Sequence, residues 1–136
     1  MIIPDILLED IDDNATFDAI IIPGGLKGVD NLSKSIKLKN IIEFNRSKSL
    51  IAAICAAPLI LKEFEIININ HKITCHPSLK ENFSEFNYSD EKVVIDDNII
   101  TSRGAGTTFE FSFKILEQLF GEELADKIAS DIVFKR

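Results

Sequence analysis

Twice in this chain a short, mainly apolar run stops at residues that turn the backbone. Phe17 to Ile22 (Phe-Asp-Ala-Ile-Ile-Ile) ends at Pro23-Gly24-Gly25, and Leu50 to Ile54 ends at Cys55 ahead of Ala56-Ala57-Pro58. Runs of this length, rich in β-branched residues, read as strands. Near-continuous apolarity means cover on both faces, as in a parallel sheet. A stretch of helical spacing follows each run. The first spans Ser35 to Arg46, with Leu38, Ile41 and Ile42 on one side. The second spans Ala56 to Leu61, where Pro58 suits a first helical turn because its missing N–H costs nothing there. Strands alternating with helices predict an α/β fold with a mostly parallel sheet, whose sites lie beyond the carboxyl ends of the strands.

The remaining segments extend this pattern. Lys72 to Thr74 reads as a third strand, followed by Cys75-His76-Pro77. Val93 to Ile95 and Ile99 to Thr101 flank Asp96-Asp97-Asn98, a hairpin signal. After Ser102-Arg103-Gly104-Ala105-Gly106, Thr107-x-x-Glu110 fits a capping box at the head of the strongest helix. Phe109, Phe113, Leu116 and Phe120 form its apolar face, Glu110, Lys114 and Glu117 lie opposite, and Gly121 is the stop. A last amphipathic helix uses Leu124, Ile128 and Ala129. No linker or low-complexity tract interrupts the 136 residues, so residues 1–136 read as a single domain.

Charge and cysteine content narrow the functional classes. A net charge of −7, with the densest basic group (Lys34, Lys37, Lys39) reading as a solvated helix face, argues against nucleic acid. No apolar run is long enough to span a bilayer, so no membrane partner is expected. Met1 to Asp10 turns acidic without a basic start, which does not suit a secretory leader. Two cysteines make a poor disulfide framework, so a reducing, cytoplasmic setting is the expectation.

Three strand ends carry the residues with chemistry: Gly24-Gly25, Cys55 and His76. A thiol at a helix start meets free N–H groups and the positive end of the dipole. Both favour the thiolate, the nucleophilic and oxidisable form. The plainer account of Cys55 is a small buried hydrophobe. The glycine pair admits close approach of backbone amides to an oxyanion, or is only a turn. His76 suits a general base or an orienting group, or is a hydrogen-bonded loop residue. Cys75-His76 lacks the ligand count for zinc, and no metal is expected. The Ser102–Gly106 loop lacks the spacing and lysine of a phosphate loop. The acidic stretch from Glu9 to Asp13 reads as a solvated turn.

Taken together, four segments resemble the ThiJ/PfpI superfamily, in its deglycase, glyoxalase III-like branch. They are Phe-Asp-Ala-Ile-Ile-Ile-Pro-Gly-Gly (17–25), Leu-Ile-Ala-Ala-Ile-Cys-Ala-Ala-Pro (50–58), Thr-Cys-His-Pro (74–77) and Ile-Thr-Ser-Arg-Gly-Ala-Gly-Thr-Thr-Phe-Glu-Phe (100–111). The resemblance implies a flavodoxin-like three-layer sandwich and a homodimer. It also implies a cysteine-dependent activity, without cofactor, on a small reactive aldehyde such as methylglyoxal or on its glycated adducts. It matches Cys55 to the nucleophile, Gly25 and Ala56 to the amides of the oxyanion pocket, and His76 to the histidine beside the cysteine. Peptidase-like relatives carry histidine directly after the cysteine, where this chain has Ala56. Ala57 stands where glycine is usual, implying a slightly tighter turn. The resemblance further implies that the family's first strand-helix-strand block is missing and the chain is truncated at its N-terminus. With that block goes a glutamate that hydrogen-bonds the cysteine. The alternatives to an enzyme are a redox-sensing or chaperone-like stress protein using an oxidisable cysteine, and an inactive remnant.

Overall fold

Strand β2 (Leu50–Ile54) organises the molecule because every one of its side chains has cover. In the computed structural model, which describes residues 3–136, Ile51 and Ala53 face one apolar cluster and Leu50 and Ala52 another. The first two residues of the stretch read above as unsuited to a leader lie outside the described residues. β2 pairs in parallel with β1 (Ala19–Ile22) on one side, Ala19 opposite Leu50. On its other side it pairs in parallel with β6 (Ile99–Ser102), Ile51 opposite Ile99. β5 (Val93–Asp96) closes the sheet by antiparallel pairing with β6, giving the order β1-β2-β6-β5. The short strands β3 (Lys72–Ile73) and β4 (Asn87–Tyr88) pair with each other in a separate parallel ribbon.

Helices cover both faces. α1 (Leu26–Leu32), α2 (Ile36–Asn45) and α3 (Pro58–Glu63) supply Val29, Leu38, Ile42, Ile60 and Leu61 to the first cluster, which also takes in Ile73, Cys75 and Phe83. Burying each Ile or Leu fully is worth about 1.5–3 kcal/mol. Ser35 caps α2 by accepting from the Leu38 amide. α4 (Thr108–Phe120) packs Phe111 and Ile115 on the other face, against Leu50, Ala52 and Ile100. α5 (Glu122–Asp131) adds Ala125 and Ala129 against Phe113 of α4. This is the mostly parallel α/β sandwich expected.

The α4 face differs from the sequence reading. Phe109 and Phe120 are 56% and 63% exposed, and the buried residues are Phe111, Phe113 and Ile115. The helix lies between the sheet and α5, so it needs two narrow apolar strips rather than one broad face. The capping box also fails. The Thr107 hydroxyl turns back to Gly104, accepting from its amide and donating to its carbonyl, while Glu110 pairs with Lys92. Lys92 holds the Glu110 carboxyl below its ordinary range. Gly121 ends α4 as expected, at φ 89°.

The lysines of the basic group are solvated and paired, Lys34 with Asp30, Lys37 with Asp13 and Lys39 with Glu43. Among the described residues no helix is long and apolar enough to cross a membrane, and no group of three or more His, Cys, Asp or Glu gathers in a metal-binding arrangement.

Candidate active site at the Cys55 elbow

Cys55 follows the last residue of β2 and has φ 65°. A residue with a Cβ pays roughly 1–3 kcal/mol to hold such a conformation. Three backbone bonds hold it there: the Cys55 amide donates to the Ser102 carbonyl (2.9 Å), the Ala57 amide to the Ile54 carbonyl (3.1 Å), and the His76 amide to the Cys55 carbonyl (2.9 Å). The thiol lies on a tight elbow between strand and helix, where it is half-buried rather than sealed in the core. α3 begins at Pro58, so Ala56 and Ala57 belong to the turn and not, as the sequence suggested, to the helix. Ala57 has ordinary right-handed torsions (φ −62°, ψ −28°), so a Cβ there introduces no strain.

Gly24 makes room for the elbow. A Cβ on it would lie 2.6 Å from Cys55 Cβ and 3.2 Å from Cys55 Sγ. Gly25 has φ 99° and caps α1. Neither the Gly25 amide nor the Ala56 amide has an acceptor among the described residues.

His76 reaches the site from outside the main sheet. β3 is not a neighbour of β2; it sits in the separate ribbon. The segment after it is tied in by the Thr74 amide donating to Thr101 Oγ1 (2.9 Å) and by the His76–Cys55 bond. The imidazole lies near Gly104, whose added Cβ would be 3.5 Å from His76 Cδ2. The Ser78 amide donates to His76 Nδ1, and the Ser78 hydroxyl is 2.8 Å from the same nitrogen. An amide can only donate, so the neutral ring carries its proton on Nε2. Nε2 is therefore the ring's donor in its neutral form.

Leu26, Cys55, Ala56, His76, Ser78 and Leu79 line a cleft of about 180 Å³. No carboxylate is among them. Ser78, which fixes the ring, and the apolar walls Leu26 and Leu79 were not singled out in the sequence; their signal is position, one to three residues from a site glycine or histidine. Cys75 is fully buried, and burial pushes its thiol up to about 11. The acidic Glu9–Asp13 stretch is remote from this chemistry: it forms a short turn in which Asp13 engages Lys37 and Asn40.

A mostly parallel sheet whose central strand β2 is covered on both faces, with a strained cysteine at that strand's carboxyl end, defines the class of α/β proteins built on a cysteine elbow. The comparisons agree. The DJ-1/PfpI family profile matches residues 1–118. The chain is 40% identical to Parkinson disease protein 7 homolog of Danio rerio, across 99% of this chain and 73% of that protein. It is 41% identical to glutathione-independent glyoxalase DJR-1.2 of Caenorhabditis elegans, across 93% of this chain and 68% of that protein. The crystal structure of Drosophila melanogaster DJ-1beta superposes with a TM-score of 0.92 at 36% identity, covering 99% of this chain and 73% of that one. The chain belongs to the DJ-1/PfpI family.

Proposed function

We propose that this protein converts a small α-oxoaldehyde, methylglyoxal or an adduct of it, to the hydroxy acid, using Cys55 as nucleophile and no cofactor. The observation that carries the reading is one cleft shared by the Cys55 thiol, the Ala56 turn and His76. Its volume of about 180 Å³ is well below the roughly 300–1,000 Å³ of drug-sized ligand pockets, which suits a three-carbon substrate. A relative named as a glutathione-independent glyoxalase points the same way.

In this reading the Cys55 thiolate attacks the aldehyde carbon. The resulting oxyanion accepts from the Gly25 and Ala56 amides, which have no other acceptor among the described residues. The aldehyde proton then moves to the neighbouring carbonyl carbon through an enediol, leaving a thioester on Cys55. Water hydrolyses it, releasing lactate and the thiol. His76, with its proton on Nε2, donates to the developing hydroxyl and is reloaded from water. We place the protein as a homodimer in the cytoplasm in the same proposal, and sedimentation equilibrium tests the dimer.

Lactate formation from methylglyoxal is the test. Cys55→Ser should fall to the rate without protein, and His76→Gln should lose about 10²-fold in kcat/KM. Equal rates for wild type and Cys55→Ser would remove this reading. A redox-responsive stress role for the same thiol is the second reading. The contrast between half-buried Cys55 and fully buried Cys75 favours it, because only the former is open to an oxidant.

A further inference from the structure

Cys75 takes no part in the chemistry above, yet it stands directly behind it. The His76 amide that donates to the Cys55 carbonyl follows Cys75 in the chain, so one 2.9 Å hydrogen bond ties the two cysteine segments together. Standard backbone dimensions around such a bond bring the two Cα atoms to about 5–6 Å. Disulfides span Cα separations of roughly 4.4–6.8 Å. The thiols also sense each other, since charge on Cys55 is one of the causes that raise Cys75. Both are free.

The order of reaction follows from exposure. Cys55 lines the cleft, whereas Cys75 is enclosed with Ile73 and Phe83 in the main core. A peroxide therefore meets Cys55 first.

We propose that Cys75 is the resolving thiol for Cys55: after a peroxide oxidises Cys55 to the sulfenic acid, Cys75 closes an intrachain Cys55–Cys75 disulfide. In the first step the Cys55 sulfur attacks one peroxide oxygen and the O–O bond breaks. The sulfur loses two electrons and becomes S–OH, and the second oxygen leaves as water. Next the Cys75 sulfur attacks the Cys55 sulfur. The S–O bond breaks, and the hydroxyl leaves as water with the Cys75 proton. Two thiols and one peroxide thus give one disulfide and two waters.

Closure asks the Cys75 side chain to turn away from the His76 carbonyl, 3.4 Å from its sulfur. β3 has only two residues and lies outside the four-stranded sheet, so a shift of this segment would break no bond of the main ladder. The disulfide stops oxidation short of the sulfinic acid, which ordinary thiols cannot reverse. It also removes the nucleophile, so an oxidant switches the aldehyde chemistry off until a thiol restores it.

The inference rests on Cys55 as the reactive thiol but not on the aldehyde substrate. The test is mild hydrogen peroxide on the full chain, followed by alkylation, intact mass and non-reducing peptide mapping. Wild type should lose about 2 Da and yield a linked Cys55–Cys75 peptide; Cys75→Ser should instead gain about 32 Da as the Cys55 sulfinic acid. Cys75→Ala, a second neutral replacement, should behave like Cys75→Ser while both keep lactate formation. Cys55 sulfinic acid in wild type without a linked peptide would overturn the resolving role and leave the enzyme reading standing. Failure of Cys55 to oxidise at all would also overturn the resolving role, while lactate formation by the same protein reports separately on the enzyme reading.

Discussion

A Cβ added to Gly24 would meet Cys55 Cβ at 2.6 Å and the Ile54 carbonyl oxygen at 3.1 Å, and both neighbours are fixed by the elbow's backbone bonds. Gly24→Ala must therefore shift the elbow. The expected result is a folded protein whose aldehyde turnover falls about 10²-fold, the scale of a 1 Å misplacement at a reacting centre. Iodoacetamide labelling of Cys55 should slow in parallel, and an unchanged labelling rate would show that the glycine is only a turn residue. The sequence suggested a glycine pair approaching a ligand, and the two glycines prove to do different things. Gly25 has open space but a positive φ, whereas Gly24 needs clearance. Neighbouring glycines look alike in a sequence; φ and clearance depend on what the rest of the chain places around them. Cys55 was more legible, because a thiol between a β-branched run and Ala-Ala-Pro has few places to go in an α/β fold.

The same contrast holds for whole elements. β2 and α2 were visible in the sequence because their apolar patterns run over five and ten residues and their burial is dictated by the sheet. α1 was missed because Leu26–Leu32 contains Gly28 and buries only Val29. β4 was missed because a strand of two residues carries no periodicity. Asn45 gave no signal either. Its side chain nonetheless donates to the Ala15 and Ile41 carbonyls and accepts from the Phe17 amide, pinning the entry to β1 against α2. The β5–β6 hairpin differs from the sequence reading at both ends: Asp96 pairs with Ile99, leaving Asp97-Asn98 as the turn, and Ser102 pairs with Val93. Asp97 holds φ 51°. Asp97→Gly should relieve that torsion and raise stability by about 0.5–1 kcal/mol. Asn98 is different: its side-chain amide donates to the Arg46 and Ser49 carbonyls, fastening the turn to the start of β2. Asn98→Ala should cost about 1–3 kcal/mol by stranding those carbonyls. Urea midpoints compare the two directly; two shifts of the same sign would contradict this account of the turn.

Across the whole molecule, acid and alkaline conditions act through different groups. Lys37, Lys72 and Lys92 lower the carboxyls of Asp13, Glu91 and Glu110. Those pairs contribute above the ordinary carboxylate range and are lost as pH falls through the lowered values. They are solvated, so their contribution is small. Among the described residues, Cys75 is a buried core group that senses alkali. Burial raises its thiol from 9.0 to about 11, partly offset by the nearby Arg103 charge. The folded protein therefore keeps the Cys75 proton at pH values where the unfolded chain has lost it. With fewer protons bound to the unfolded state, stability is complete below about pH 9 and declines as pH rises towards 11. The decline assigned to this thiol is on the order of 2–3 kcal/mol. Lysine and tyrosine titrate over the same range, so the measurement is a difference. Urea unfolding of wild type and Cys75→Val under reducing conditions should give free-energy curves whose gap is constant up to about pH 9. Above that, wild type should lose stability faster than the variant. A gap that stays constant to pH 11 would mean that Cys75 reaches solvent on ionising, and that the core around β3 opens more readily than its packing implies.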